Sequence, residues 1–464
     1  MIGQERALEI AHQALRAVGG DQGEVMVLTE DSALTRYRNS SIHQNLRHND
    51  LLVSVRVIAN NGLGQAYPSS ADPDALSAAA RQALQIARGW PGTAGGIGFS
   101  PGGATTRVQT YFESTVAMGP DERAATVGRM AAVAAESGFG INGAFLVEQS
   151  EMAVVSSAGA EQYAPFTLAA IRIAAASGDG DTGFAEGISR DVSRLRPEAL
   201  ARRATEKCRL NRQRQSLPPG EYVTILEEIA VADLVRFLGT VGLNGRAVQE
   251  GRSFVTGRFG ERVVDTRISL RDDPLDPRGL PLPFDPEGTP KQPLALIEAG
   301  VLRNVVHDSA TAARAGVRSS GHAAPPDPEA MMEYPAPSNM FLEGGDSSLD
   351  EMIAATERGV LVTSLHYTNA PDPRRVVVTG MTRDGTFLIE DGCITRALYN
   401  QRVHQSVVEM LNDVLAIGRE GELHRDWWGG AGVSMQHGTV GAAVHYVPAL
   451  KVGHFRFIGE SPVV

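Results

Sequence analysis

Leu217-Pro-Pro-Gly-Glu-Tyr-Val-Thr-Ile-Leu-Glu-Glu-Ile-Ala-Val-Ala-Asp-Leu234 is the stretch that decides how this chain is read. Pro218 and Pro219 cannot continue a helix, so the helix expected over residues 197–210 has ended. A domain boundary is placed there. Tyr222 to Leu226 reads as a strand, and a helix follows from near Glu227. Val231, Leu234, Val235 and Leu238 recur at helical spacing and give that helix one buried face. Glu227 and Glu228 fall in its first turn, where the macrodipole favours negative charge.

Outward from this point the chain has two textures. Residues 7–18, 74–88, 121–137 and 197–210 read as helices, the second capped by Asp72 or Asp74. Residues 24–28, 33–39, 51–59, 145–156 and 161–175 read as strands. Asn60-Asn61-Gly62 favours the positive φ of a hairpin turn. An N-terminal α+β domain, 1–215, is therefore expected, with helices and antiparallel strands in layers. After residue 216, turn chemistry recurs at Asp272-Asp-Pro, Pro281-Leu-Pro, Asp285-Pro-Glu-Gly and Gly288-Thr-Pro. Hairpins are expected over 294–302, turned at Gly300, and over 376–394, turned at Asp391-Gly392. Helices are expected over 346–357 and 406–417, and one or two strands over 440–458. The C-terminal domain, 216–464, should be strand-dominated, with a curved antiparallel, barrel-like sheet.

Composition narrows the function classes. With 464 residues the chain is too long for one hydrophobic core. An apolar fraction of 42% and a charged fraction of 21% are those of an ordinary soluble globular protein. A net charge of −11 supplies no duplex-binding surface, so no nucleic-acid partner is expected. The one basic run, Arg202 to Arg214, reads as a solvated face or interface. Cys208 and Cys393 are far apart and in no CxxC pair, which fits a reducing compartment. Met1-Ile-Gly-Gln-Glu-Arg-Ala lacks the apolar core of a signal peptide. No apolar run approaches the roughly 18 residues of a membrane span. The expectation is a cytoplasmic protein with no membrane partner.

Few residues present obvious chemistry. Catalytic zinc needs three protein ligands and an open position. His43 and His48 flank Asn45 and Arg47 and suggest an exposed strand and turn. His437, His445 and His454 cluster near the C-terminus, where ordinary surface or strand histidines are the plainer reading. Cys393 follows a turn with no visible histidine to activate it. Gly95-Gly-Ile-Gly98 has no feeding strand and is no nucleotide loop. Trp427-Trp428 precedes a glycine turn; the pair could pack in the core or line an interface or peptide groove.

Several segments, taken in order, resemble the TldD/PmbA family, which includes zinc metallopeptidases. They are Thr35-Arg-Tyr-Arg-Asn-Ser-Ser, Arg271-Asp-Asp-Pro, Pro283-Phe-Asp-Pro-Glu-Gly-Thr-Pro, Leu296-Ile-Glu-Ala-Gly-Val-Leu, Asp308-Ser-Ala-Thr-Ala, Pro337-Ser-Asn-Met, Arg358-Gly-Val-Leu-Val-Thr and Ile389-Glu-Asp-Gly. In the family's catalytic branch the helix after Leu226 carries His-Glu-x-x-x-His. The matching positions here are Glu227, Glu228 and Ala232: the glutamate is kept and both histidines are absent. The catalytic branch's third ligand, a cysteine, matches about Ser434, and no cysteine follows Cys393.

The chain therefore looks closer to the PmbA branch, also called TldE. What the resemblance implies is a non-catalytic subunit that pairs with a TldD-like catalytic subunit and holds no metal itself. Zinc would sit in that partner. Glu228 would be a vestige of the general base, or simply an acid in a helix's first turn. The substrate would be an unfolded or precursor peptide, and some relatives act in natural-product pathways. Asn339, His366, Asn369 and Trp428 are candidates to line a peptide groove. Two other readings stay open: a homodimeric peptide-binding or scaffold protein, and an enzyme of altered chemistry using Glu228 or the C-terminal histidines.

Overall fold

The first strand is buried at nearly every position, on both sides of its pleat, so the sheet it belongs to has two faces to cover. The computed structural model describes residues 1–19, 22–326, 334–425 and 443–461. β1 (Gln22–Arg38), β2 (Ser41–Ala59), β3 (Gly62–Ala66), β4 (Gly140–Ser156), β5 (Glu161–Ala176) and β6 (Thr182–Ser189) form one sheet in the order β3-β2-β1-β4-β5-β6. Every neighbouring pair is antiparallel. β1 is continuous where two short strands, 24–28 and 33–39, are expected. The polar stretch between them, Thr29 to Ser32, looks like a break but is buried between β2 and β4. There the Thr29 hydroxyl donates to Glu151 Oε1 at 2.9 Å.

The helices are α1 (Gln4–Arg16), α2 (Pro73–Gly89), α3 (Glu113–Val116), α4 (Pro120–Ala135) and α5 (Pro197–Leu210). Ala7, Ile10, Ala80 and Ala83 of α1 and α2 pack on Val25, Val27, Val53 and Val55. Met130 of α4 and Ala201, Ala204 and Cys208 of α5 pack on Phe145, Ile171 and Ile173. Alanine-rich faces let the helix backbones come close. The approach is closest where a strand offers glycine: a Cβ on Gly183 of β6 would lie 2.2 Å from both Ala204 O and Cys208 N of α5. The opposite face meets the second half of the chain. Leu282 and Phe284 pack on Met26, Met152 and Phe166, and Leu280 and Val444 on Leu34 and Leu146.

The second half holds β7 (Gly220–Leu226), α6 (Glu228–Phe237), β8 (Leu270–Asp272), β9 (Leu294–Glu298), β10 (Val301–Leu302), β11 (Asn339–Leu342), β12 (Arg358–Asp372), β13 (Val377–Glu390), β14 (Cys393–Ala397), β15 (Gln401–Ser406), β16 (Val414–Arg425) and β17 (Val444–Glu460). Its strands form an 11-stranded sheet. Within it β7, β12, β13, β15 and β17 close a ring, since β17 pairs back onto β7. This is the expected barrel-like element. Most pairs are antiparallel; β7–β12 and β11–β17 run parallel. The helix expected over 406–417 is only Val407–Leu411, and from Val414 the chain is β16. The Asn412 side-chain amide donates to Val408 O and to Val263 O, at 3.0 and 3.1 Å, which closes the helix. No helix among the described residues is long and apolar enough to cross a membrane.

A buried charge cluster joins the two halves. Arg56 Nη1 of β2 donates to Glu24 Oε1 at 2.8 Å and to Glu287 Oε1 at 3.0 Å. Asp285 accepts from Glu287 N, Thr289 N and Ala323 N. Burial pushes the Glu24 carboxyl up to about 8, against Arg56, and Glu287 and Asp285 push it further. Burial, then Glu287, likewise raises Asp285 to about 7. Both groups bind a proton more tightly in the folded chain than in the unfolded one. Their contribution is greatest at low pH and is lost as pH rises from the ordinary carboxylate value of 4.5 through about 8. The thermal unfolding temperature should therefore fall between about pH 5 and about pH 8.5, and Glu24→Gln, which keeps the shape without the charge, should flatten that fall. An equally steep profile in the variant would contradict the assignment.

Candidate functional site

The helix that decided the sequence reading begins one residue after β7. Glu227 is its N-cap residue, in extended conformation. Its backbone N–H donates to Val362 O of β12 at 3.0 Å, which ties the helix start to the ring. Its carboxylate is buried and meets two cations one helical turn apart on α5: Lys207 Nζ at 2.6 Å and Arg203 Nη2 at 3.1 Å. Arg203 also reaches Glu228 at 2.8 Å and Glu422 at 2.5 Å. Burial raises the Glu227 pKa, but Lys207 and Arg203 outweigh it and hold the group below the usual carboxylate value. Glu228 is raised by burial against the pull of Arg203, with Glu422 and Glu227 adding to the rise. The basic run expected as a solvated face or interface is thus partly internal: Lys207 is buried because it must neutralise Glu227.

One turn further, Ile229, Ala232, Asp233 and Arg236 of α6 line a cleft of about 390 Å³. Its other walls are Ser364 to Thr368 of β12, Arg383 and Asp384 of β13, His424 and Arg425 of β16, and His445 of β17. Arg172, Phe184 and Glu186 of the first sheet complete it. His424 and His445 face each other across β16 and β17 and are buried. His424 Nδ1 lies 3.0 Å from Glu186 Oε1, and Arg172 Nε lies 3.5 Å from Glu186 Oε2. Arg383 Nη1 donates to His366 Nε2 at 2.6 Å. That bond places the ring's proton on Nδ1. Burial lowers the His366 pKa, and Arg383 lowers it further. Arg236 Nη2 donates to Thr368 Oγ1 at 2.8 Å.

The positions that the family resemblance assigns to zinc do not fit it. Glu227 is committed to Lys207 and Arg203, and Ala232 offers a methyl group with no lone pair. Ser434 lies outside the described residues. Among the described residues, no three His, Cys, Asp or Glu side chains are grouped to hold a metal ion.

Of the groove candidates, His366 lines the cleft. Asn339 does not. Its Oδ1 accepts from Leu280 N at 2.7 Å and its Nδ2 donates to Leu280 O at 3.0 Å, so it clips β11 to the chain before Pro281. Asn369 is exposed, with its Nδ2 donating to Tyr367 O at 3.2 Å, and is not among the lining residues. Trp427, Trp428 and His437 lie outside the described residues. The two C-terminal histidines among the described residues lie apart: His445 lines the cleft, while His454 is exposed beside Asp413 at 2.7 Å. Sequence reasoning missed Arg172, Arg236, Arg383 and His424. Only Arg236 left a signal, standing four residues after Ala232 and so on the same helix face.

Residues 23–87 match the PmbA/TldA metallopeptidase domain 1, and residues 219–459 match the PmbA/TldA metallopeptidase C-terminal domain. The chain is 25% identical over 277 residues to a metalloprotease of Methanothermobacter thermautotrophicus, a match covering 59% of this chain and 59% of that protein. It is also 25% identical over 272 residues to a metalloprotease TldD homolog of Haemophilus influenzae, covering 58% of this chain and 54% of that one. The matched regions thus span less than two thirds of these relatives' length. The fold superposes on the crystal structure of TldE from Thermococcus kodakarensis with a TM-score of 0.84 at 21% identity, over 98% of this chain and 100% of that one. Since the C-terminal domain match alone covers more than half of its length, the chain belongs to the PmbA/TldD metallopeptidase family.

Proposed function

We propose that this chain is the non-catalytic, PmbA/TldE-like subunit of a cytoplasmic heterodimeric zinc metallopeptidase. A TldD-like partner supplies the zinc and the catalytic residues. This chain supplies dimer surface and part of the wall that receives an unfolded or precursor peptide, including precursors in natural-product pathways. The observation that carries the reading is the ion pairing of Glu227 by Lys207 and Arg203, with Ala232 facing the cleft one turn on. Where a catalytic relative would present ligands, this chain presents a neutralised acid and a methyl group. The peptide-binding part is supported by β12, whose pairing with β7 stops at Val362 while Ser364 to Thr368 run on along the cleft. Among the described residues no strand pairs with that edge of β12 beyond Val362, and an unpaired strand edge beside a pocket suits an extended peptide.

The test is peptide cleavage by the purified chain alone and after mixing with a TldD-like protein from the same source. The expected result is no cleavage alone, and cleavage on mixing that exceeds the partner's own. Unchanged activity on mixing would favour a homodimeric binding or scaffold protein. Cleavage by the chain alone would favour altered chemistry centred on Glu228 or the C-terminal histidines.

A further inference from the structure

We propose that a second cavity binds a neutral carboxamide group, with Glu24 as the hydrogen-bond donor and Gln65 as the acceptor. The cavity, about 230 Å³, lies between the first sheet and two short helices, α7 (Gly245–Gln249) and α8 (Ser309–Ala315). It shares no lining residue with the cleft beside α6, so the inference does not rest on the peptide-binding reading. Glu24 of β1, Arg56 of β2 and Gln65 of β3 line it as direct cross-strand neighbours on one face of the sheet. Arg56 Nη1 donates to Glu24 Oε1 at 2.8 Å. Glu24 is buried, and its other oxygen, Oε2, has no hydrogen-bond partner among the described residues. Few buried polar atoms are left so, because each one costs stability. Gln65 is fixed in the complementary sense. Its Nε2 donates to Ser54 Oγ at 3.1 Å and to Tyr67 Oη at 2.8 Å, which leaves Oε1 as an acceptor.

The surroundings decide what the Glu24 carboxyl offers. Arg56 Nη1 is shared with Glu287, at 3.0 Å, and two acids on one nitrogen do not both ionise readily. The other charged groups facing Glu24 or the cavity are Asp285, Asp308, Arg314 and Arg246, the last paired with Glu250 at 2.9 Å. Burial pushes Glu24 up to about 8 against Arg56, and Glu287 and Asp285 add to the rise. At neutral pH the carboxyl therefore holds its proton. Oε1 already accepts from Arg56, so the proton is on Oε2 and needs an acceptor. Strand spacing puts Glu24 and Gln65 about 10 Å apart at the backbone. A carboxamide that accepts from Glu24 Oε2 and donates to Gln65 Oε1 bridges about 8 Å. A cation in its place would lie against Arg56, and an anion against Glu287. Met26, Leu63 and Ala310 supply apolar wall for the rest of the molecule. The volume far exceeds the roughly 15 Å³ that one water needs.

The experiment uses the full-length chain and three probes of nearly one shape: propanamide, propanoate and n-propylammonium. Binding is followed by ligand-detected NMR up to about 50 mM. At pH 7 propanamide should bind about tenfold or more tightly than either charged probe. Between pH 7 and about pH 9.5 its affinity should fall about tenfold or more, as Glu24 ionises and stops donating. Glu24→Gln keeps a donor where Oε2 stood, because Arg56 holds the side-chain oxygen. It should bind propanamide at pH 7 within about threefold of the parent chain and lose the pH dependence. Glu24→Met and Gln65→Met each remove one partner and should weaken binding about fivefold or more. Two such variants are used so that one remains informative should the other fail to fold. Undiminished binding in a folded methionine variant would overturn the inference. A preference for n-propylammonium, abolished by Glu24→Gln, would overturn it in favour of an ionised Glu24 and a cation site. Binding of none of the probes would overturn it in favour of a cavity filled by water alone. A capped tripeptide, acetyl-Gly-Gln-Gly-amide, separates the two sources of the amide. Its binding beside propanamide would support the inference with a polypeptide as the source, and binding of propanamide alone would support it with a small molecule.

Discussion

Lys207→Met is expected to lower the unfolding free energy of this chain by about 3 kcal/mol, the scale of removing one partner from a buried ion pair. The lysine lies 2.6 Å from Glu227, and both side chains are buried. Methionine keeps the apolar stem but leaves Glu227 with Arg203 alone, at 3.1 Å and shared with Glu228 and Glu422. The cost is that of an under-neutralised buried carboxylate more than that of a lost attraction. Glu227→Gln added to Lys207→Met should therefore recover most of the loss, because both charges are then gone. Denaturant unfolding at unchanged m-value measures each corner of the cycle. A loss under about 0.5 kcal/mol for Lys207→Met would place the pair among surface salt bridges and remove its claim to organise the helix start. The pair also has a pH signature. Glu227 sits below its ordinary value, so its contribution is present above about pH 4.5 and is lost as pH falls through its folded pKa.

The second large effect is expected at Gly183→Val. A Cβ there would meet Ala204 O and Cys208 N at 2.2 Å and Lys207 Cβ at 2.7 Å. Two of those atoms are helix backbone and cannot rotate aside, so α5 would have to move away from β6 as a body. Overpacking of this kind costs about 3 kcal/mol. The displacement would also carry Arg203 and Lys207 away from Glu227, so the two losses should not add when Gly183→Val is combined with Lys207→Met. Gly178→Ala is the control, since nothing lies within 4 Å of the added Cβ. A thermal melt of Gly183→Val indistinguishable from that of Gly178→Ala would contradict the close packing of α5 on the sheet.

What is legible in the sequence is local. Asn60-Asn61 and Asp391-Gly392 announce hairpin turns because their residues tolerate positive φ. All four adopt it. The helix over Pro197–Leu210 follows from proline at its start and its alanine-rich face. β6, Thr-Gly-Phe-Ala-Glu-Gly-Ile-Ser, is not legible. Gly183 and Gly187 give it poor strand propensity, and only pairing with β5 and the approach of α5 make it a strand. The polar middle of β1 reads as a gap because its burial depends on partner strands remote in sequence. The site divides in the same way. Glu227, Glu228 and Ala232 are close together in sequence and can be found together. Arg172, Arg383 and His424 come from strands far apart in the chain and meet only when both sheets are in place. The burial of Lys207 is hidden because its partner, Glu227, lies beyond Pro218 and Pro219, on a different element.

The central claim is that the helix start at Glu227 holds cations of this chain's own and not a metal. The most direct measurement is the zinc content of the purified full-length chain, by elemental analysis after incubation with excess zinc and extensive dialysis. The account predicts no stoichiometric zinc, and no gain in thermal stability from the incubation. One zinc ion retained per chain, with a matching rise in melting temperature, would contradict it.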